Sequence, residues 1–309
     1  MTGRIFILGA AGRLGYAAAE AFRDAGWSVK GLVRPGAAWR APSGIELVET
    51  NDRAVGVEAG RGMDVVLHAL NPDYTGWAKH ALPLAYSAIE IAETAGATLM
   101  FPGNVYNYGP DMPERLDEET PMRPSSRKGK LRVAVEERMR EAADRGVRTI
   151  ILRAGDFFGR GRGSWFDLVV VKEIKRDRLR YPGPLELVHA WAYVPDLVET
   201  FLRLAEKREQ LGPFETFGFP GHAVTGREFV GAVAKAMKRP LQVKQIQWWT
   251  IHSFGRLFAM GRELSEIGYL WKVSHRIAGD RLSATIGKIP HTQLDVAVAR
   301  SLRELKLND

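Results

Sequence analysis

Cysteine is absent from the 309 residues. That removes disulfides, thiolate metal ligands and cysteine nucleophiles together, and it fits a reducing compartment. Long apolar runs are missing too, and none approaches the roughly 18–20 residues of a membrane span. The N-terminal stretch MTGRIFILGAAGRLG is broken by Gly and Arg, unlike the ~7–15 uninterrupted apolar residues of a signal peptide. The seven His and the scattered carboxylates show no H-E-x-x-H or similar spacing, so no metal is expected. Repeats and low-complexity tracts are also lacking. These absences lead us to expect a soluble cytoplasmic protein that engages no membrane.

What is present is ordinary globular material, 45% hydrophobic and 26% charged, enough for a large buried core. Lys and Arg outnumber Asp and Glu by 44 to 36, a net charge of +8. A basic balance attracts nucleic acid, anionic lipid or phosphorylated ligands without choosing among them. The basic residues are dispersed, and the densest cluster (Arg123, Arg127, Lys128, Lys130 and Arg132) precedes and enters a helical stretch. A solvated helix end or an anionic-ligand site is the better reading of it, so no nucleic-acid partner is expected.

The chain alternates strands and helices. RIFIL at 4–8 is a short apolar run of the kind buried on both faces of a parallel sheet. Leu14, Ala18, Ala21, Phe22 and Ala25 recur at helical spacing before Gly26. Strands follow at 28–33, 45–49, 64–70, 98–101 and 148–153, with helices at 77–95 and 126–145. The pattern predicts an α/β, Rossmann-type, doubly wound parallel sheet. Beyond Gly159 the expectation is helices at 165–177, 195–208 and 225–238 and a strand at 213–217, with Thr225 and Glu228 at capping-box spacing. The aromatic stretch 246–275 (Trp248, Trp249, Phe254, Phe258, Tyr269, Trp271) reads as a helical cap over a pocket, since Arg256, Arg262, Glu263 and Glu266 give it no single basic face. The domain division expected is an NAD(P)-binding Rossmann domain over 1–160, to which 188–208 returns. A smaller α+β substrate-binding region comprises 161–187 and 209–309.

Gly9-Ala10-Ala11-Gly12-Arg13-Leu14-Gly15 is a glycine triplet set between an apolar strand and an amphipathic helix. Backbone amides at a helix N-terminus must approach a pyrophosphate where a Cβ would intrude, so this turn predicts dinucleotide binding. An NAD site places a carboxylate at the end of the second strand, whereas an NADP site offers Arg to the 2′-phosphate. Here the second strand ends Gly31-Leu32-Val33-Arg34, and Arg13 in the turn offers a second contact. The expected cofactor is NADP(H), with NAD the alternative. Asp52, after the third strand, reads equally as an acceptor for the adenine amino group or as an ordinary loop residue.

These residues resemble the extended short-chain dehydrogenase/reductase superfamily of the NAD-dependent epimerase/dehydratase type, here in an atypical form. The resemblance runs to about residue 240 and rests on GAAGRLG at 9–15, DVVLHAL at 64–70, FPGNVYNYG at 101–109, ILRAGDFFG at 151–159 and WAYVPDLVET at 191–200. It implies that Ala69, Leu70 and Asn71 border the pyrophosphate and ribose. It also implies that Pro102 and Gly103 border the cofactor, and that Ala154, Gly155, Asp156 and Phe157 approach the nicotinamide carboxamide. The family's catalytic Ser/Thr position falls on Asn104, and its Tyr-x-x-x-Lys pair on Ser126 and Lys130. The lysine is kept and the tyrosine is not. A serine hydroxyl is far less acidic than a phenol near pKa 10, so Ser126 is a poor proton donor.

Three readings follow. In the first, an atypical reductase or epimerase of a small carbonyl or alcohol compound uses Lys130 to hold cofactor and Asn104 to bind the substrate oxygen, and Tyr106, Tyr108 or Lys130 supplies the proton. In the second, a cofactor-binding sensor has lost catalysis. A basic nucleic-acid binder is the third, with charge alone in its favour. His68 reads as a buried structural histidine, and Asp156 as a loop cap or a general base. Arg162, His189 and Arg281 read as acidic-substrate ligands or surface residues. The resemblance further implies a homodimer pairing through the helices at 77–95 and 126–145.

Overall fold

The computed structural model describes residues 2–72, 76–246, 248 and 265–308. Its centre is a seven-stranded, wholly parallel sheet. In chain order the strands are β1 (Arg4–Leu8), β2 (Ser28–Val33), β3 (Glu46–Glu49), β4 (Val65–His68), β5 (Thr98–Asn104), β7 (Thr149–Ala154) and β11 (Phe214–Gly218). Their spatial order is β11-β7-β5-β4-β1-β2-β3. Successive residues point to opposite faces of a strand. Accordingly Ile5 and Ile7 enter one core and Phe6 and Leu8 the other. The two-sided apolar character of RIFIL follows from this.

The helices α1 (Arg13–Asp24), α2 (Arg53–Ala59), α3 (Trp77–Ala95), α4 (Arg127–Asp144) and α5 (Val194–Lys207) cover the sheet. On one face α1 packs on α5, through Ala18, Phe22, Leu197 and Phe201. On the other α3 packs on α2 and α4, with Ala88, Ile91, Val135 and Met139 in the core. Among the described residues no helix is long and apolar enough to cross a membrane.

A second core lies beyond the C-terminal ends of the strands. Strand β10 (Val188–Tyr193) pairs parallel with β8 (Asp156–Phe158) and antiparallel with β12 (His222–Thr225). Two short parallel pairs join it: β9 (Arg178–Tyr181) with β13 (Gln242–Gln245), and β6 (Arg115–Leu116) with β14 (Arg276–Ile277). Helix α6 (Gly226–Met237) packs on β9 and β12, and α8 (Leu294–Glu304) packs on α6. Helix α7 (Asp280–Ile286) instead reaches back to β11 and α5 of the main sheet. Trp191 stacks on Phe229 at 4.2 Å, and Phe158 and Trp271 pack beside Trp191. Each buried Trp removes 150–250 Å² from water, roughly 4–6 kcal/mol of transfer free energy.

Residues 165–177 do not form the single regular helix that their spacing predicts. Phe166–Val170 makes one π-helical turn and Ile174–Arg176 one 3₁₀ turn. Three consecutive valines at 169–171 crowd χ1 against the preceding turn, which disfavours a regular helix. The expected capping box is formed: the Thr225 side chain accepts from the Glu228 amide, and Glu228 accepts from the Thr225 amide. Of the predicted aromatic cap, Trp249, Phe254, Phe258, Arg256, Arg262 and Glu263 lie outside the described residues.

Candidate functional site

The site begins where β1 delivers the chain into the glycine turn. Gly9 has φ +93°, a left-handed conformation natural to glycine, and a Cβ there would lie 3.1–3.3 Å from Leu70 and Ala69. The turn is held to the next strand, since the Gly9 and Ala10 amides both donate to the Leu32 carbonyl at 2.9 and 3.1 Å. A Cβ on Gly15 would stand 2.2 Å from the Gly9 carbonyl oxygen, so only glycine lets α1 start so close to the turn. Gly12 is the N-cap of α1, and no side chain caps it. The first amides of a helix have no intrahelical partners and carry the positive end of its dipole. Uncapped and ringed by glycines, this cradle suits a diphosphate.

Around the cradle, Arg13 donates to the Phe157 carbonyl at 3.4 Å, tying the turn to β8. Arg34 stands exposed immediately after β2. Asp52 acts locally: it N-caps α2 by accepting from the Ala54 amide at 2.8 Å.

Leu70 leads from the cradle into a recess of about 320 Å³, partly open to solvent. His68, Asn71, Trp77, Phe101 and Arg132 line it with Leu70. Pro102 enters through its carbonyl, which accepts from Arg132 Nη1 at 3.3 Å. The Arg132 guanidinium lies 4.6 Å from the Trp77 ring and 5.1 Å from the Phe101 ring, within cation–π range. His68 stacks on Phe101 at 5.3 Å. Burial, with help from Arg132, pulls its pKa down to about 3, so it is neutral at pH 7. Its Nδ1 is buried without a hydrogen-bond partner among the described residues, an arrangement that costs about 1–3 kcal/mol in a folded protein.

The other predicted site residues sit on the rim of β5 and the start of α4. Gly103 packs so closely that a Cβ would meet the Arg153 side chain at 2.7 Å. The Asn104 side-chain oxygen accepts from the Tyr106 amide at 3.0 Å, which leaves its NH₂ group to donate elsewhere. Tyr106 is buried beside Trp77, and its carbonyl accepts from the Tyr269 hydroxyl at 3.3 Å. Burial pushes the Tyr269 phenol up to about 12. The Tyr108 hydroxyl accepts from Arg153 at 3.2 Å and donates to the Asp117 carbonyl, and burial raises its pKa despite Arg153. Ser126 caps α4 by accepting from the Gly129 amide at 2.9 Å.

Helix α4 turns Lys130 to its exposed face and Lys128 and Arg132 to its inner one. Lys128 Nζ lies 3.5 Å from Glu266, and burial lowers the lysine pKa against the pull of that carboxylate. Motif spacing gives neither Arg132 nor Glu266 a place in the site. The signal available for Arg132 was its position four residues after Lys128 and four before Glu136.

Past β7, Ala154 is buried, and a Cβ on Gly155 would meet the Ala190 carbonyl at 2.0 Å. The Asp156 carboxylate, expected as a loop cap or a general base, pairs with His189 Nε2 at 2.8 Å. His189 is therefore not a surface residue: it is buried with its ring stacked on Trp271 at 3.8 Å. Arg281 pairs with Glu215, and Arg162 is exposed.

The profile of the NAD dependent epimerase/dehydratase family matches residues 5–217. Solved structures share the whole architecture at low identity, which speaks for the fold. UDP-glucose 4-epimerase from Brucella ovis, in complex with NAD, is 15% identical with a TM-score of 0.77, covering 99% of each chain. WbmH from Bordetella bronchiseptica, in complex with NAD+, is 17% identical with a TM-score of 0.75, again covering 99% of each chain. A UDP-galactose 4-epimerase is 22% identical with a TM-score of 0.73, covering 98% of each chain. No curated protein matches the sequence significantly. Since the family profile spans well over half of the chain, and the sheet and glycine turn stand where its motifs predict, the protein belongs to the NAD dependent epimerase/dehydratase family.

Proposed function

We propose that this protein is an NADP(H)-dependent oxidoreductase of the epimerase/dehydratase type, acting on a small carbonyl or alcohol compound in the cytoplasm as a homodimer. The observation that carries the reading is the glycine cradle, where a Cβ on Gly15 would stand 2.2 Å from the Gly9 carbonyl and α1 is left uncapped. Arg34 after β2 favours the 2′-phosphate, and the end of that strand, Gly31-Leu32-Val33-Arg34, has no carboxylate to accept from ribose hydroxyls. The cofactor, when bound, supplies or accepts hydride at its nicotinamide ring. The chain's own contribution is positioning: the Asn104 NH₂ group, freed by the turn its oxygen makes, donates to the substrate oxygen. The similar epimerases from Brucella and elsewhere are named for UDP-sugars, which makes these the first substrates to try.

Titration with both reduced coenzymes tests the reading, and NADPH is expected to bind more tightly than NADH. Tighter NADH binding would reverse the cofactor assignment. Substrate turnover is then read as NADPH oxidation across a panel of carbonyl compounds and UDP-sugars.

A second reading, a cofactor sensor without catalysis, is favoured by one observation. Helix α4 carries no tyrosine, and the Ser126 hydroxyl in its place is occupied as the helix cap. Tight NADPH binding without turnover on any member of the panel would select it.

A further inference from the structure

Resting on the cofactor reading, we propose that Asp156, held in place by His189, is the group that exchanges a proton with the substrate, in place of the tyrosine that α4 lacks. The order of the sheet positions it. With Arg34 at the end of β2 taking the adenosine half, the rest of a dinucleotide seated on the turn extends the other way, over the ends of β4, β5 and β7. From β1 to β7 is three strand spacings, roughly 14 Å. Asn104 closes β5 opposite Ala154 of β7, and Asp156 follows two residues later. Arg13 of the turn donates to the Phe157 carbonyl at 3.4 Å, so the residue after Asp156 is tied to the cradle itself. Asn104 and Asp156 thus belong to the same end of two neighbouring strands.

Asp156 Oδ2 accepts from His189 Nε2 at 2.8 Å, whereas Oδ1 makes no hydrogen bond among the described residues. The aspartate side chain keeps 13% of its surface exposed and the histidine 4%, so the acid is reachable while its support is buried. His189 is held from turning away, because its ring stacks on Trp271 at 3.8 Å and 6° and meets Trp191 edge-on at 5.3 Å. Other hydroxyl and ammonium groups of the region are otherwise placed. Ser126 caps α4, the Tyr108 hydroxyl is held between Arg153 and the Asp117 carbonyl, and Lys130 is exposed on α4. When an alcohol substrate is oxidised, its O–H bond breaks and Asp156 Oδ1 takes the proton. The hydrogen on carbon leaves as hydride, carrying two electrons to the oxidised nicotinamide dinucleotide, and C=O forms. Reduction reverses both transfers, with Asp156 entering protonated. His189 touches neither reactant and is a positioning residue.

The substrate-free test is calorimetric titration of the full chain with NADP+, NADPH and 2′,5′-ADP, which carries the adenosine half alone. Only the oxidised nicotinamide ring is cationic, so a carboxylate beside it favours NADP+. Asp156→Asn is expected to weaken NADP+ binding about ten-fold more than NADPH binding, leaving 2′,5′-ADP affinity as in the wild type. Asp156→Glu keeps the charge and should keep the preference for NADP+; it also serves if the Asn variant does not fold. Single-turnover NADPH oxidation with the panel of carbonyl compounds and UDP-sugars reads the proton step, and Asp156→Asn should slow it about 100-fold or more. His189→Phe keeps the stack on Trp271 and loses the donor, so it should slow turnover with NADPH affinity unchanged. His189→Gln restores a donor and should recover part of the rate. An unchanged ratio of NADP+ to NADPH affinity in Asp156→Asn would overturn the proposal, as would turnover at the wild-type rate. If the wild type binds both coenzymes and turns over nothing on the panel, this inference fails while the cofactor reading stands. Failure of the wild type to bind either coenzyme removes both.

Discussion

At residue scale the glycine turn depends on small groups in tight places. Adding one methyl group at Gly15 puts a carbon 2.2 Å from a backbone oxygen, and backbone cannot swing aside as a side chain can. Gly15→Ala is therefore expected to lose about 1–3 kcal/mol of stability through overpacking. NADPH affinity should fall with it, because the first helical amides move. Urea unfolding and NADPH titration of the same sample check both parts. Arg34 is the opposite kind of residue, exposed at the end of its strand and with no core to support. Arg34→Ala should leave stability and NADH binding alone and weaken NADPH binding about 10–100-fold, the worth of one charged hydrogen-bonding partner at roughly 1.5–3 kcal/mol. Parallel titrations with the two coenzymes measure this, and an equal loss for both would remove the 2′-phosphate role.

At the scale of elements, α4 joins the site to the core. Its inner face runs from Lys128 through Arg132 to Glu136, and Glu136 pairs with Arg153 of β7 at 2.6 Å, both side chains being buried. Asn107 also donates to Glu136, at 2.8 Å. Removing one partner of a buried pair strands the other charge, so Glu136→Ala is expected to cost about 3–5 kcal/mol. A Glu136→Ala, Arg153→Met double variant should recover part of that loss in urea unfolding. The sequence made the strands of the sheet and α1, α3, α4 and α5 legible, because a run such as RIFIL or TIILR must be buried on both faces and helical spacing marks a covering layer. It did not disclose α2, whose seven residues expose most of their surface, nor β8 and β9, which are too short for periodicity to register. Motif spacing placed the cradle on Gly9, Gly12 and Gly15. The same spacing pointed at Lys130, which stands exposed on α4; Arg132, on the face shared with Val135, Met139 and Ala142, lines the recess and was not singled out by it. His189 escaped because its partner Asp156 and its stacking neighbour Trp271 are 33 and 82 residues away.

For the whole molecule, the distribution of buried histidines sets the response to acid. Burial holds His68 and His275 at about 3 and His222 at about 4, below the ordinary value of 6.5, with Arg132, His189 and His291 respectively adding to the effect. The unfolded chain takes up protons at these sites first as pH falls. The stability they contribute is complete above about pH 6.5 and is lost progressively down toward pH 3–4, on the order of 1–2 kcal/mol for each at pH 5. Thermal unfolding across pH 4–8 should show this slope, and His275→Phe should flatten it. The net charge of +8 adds to the acid sensitivity through self-repulsion and draws anionic ligands toward the molecule.

The central claim is that amides at the start of α1 bind the diphosphate of a nicotinamide dinucleotide. Isothermal titration of the purified chain with NADPH tests it most directly. Saturable binding at one site per chain is expected, weaker when NADH replaces NADPH. No heat and no saturation with either coenzyme would contradict it.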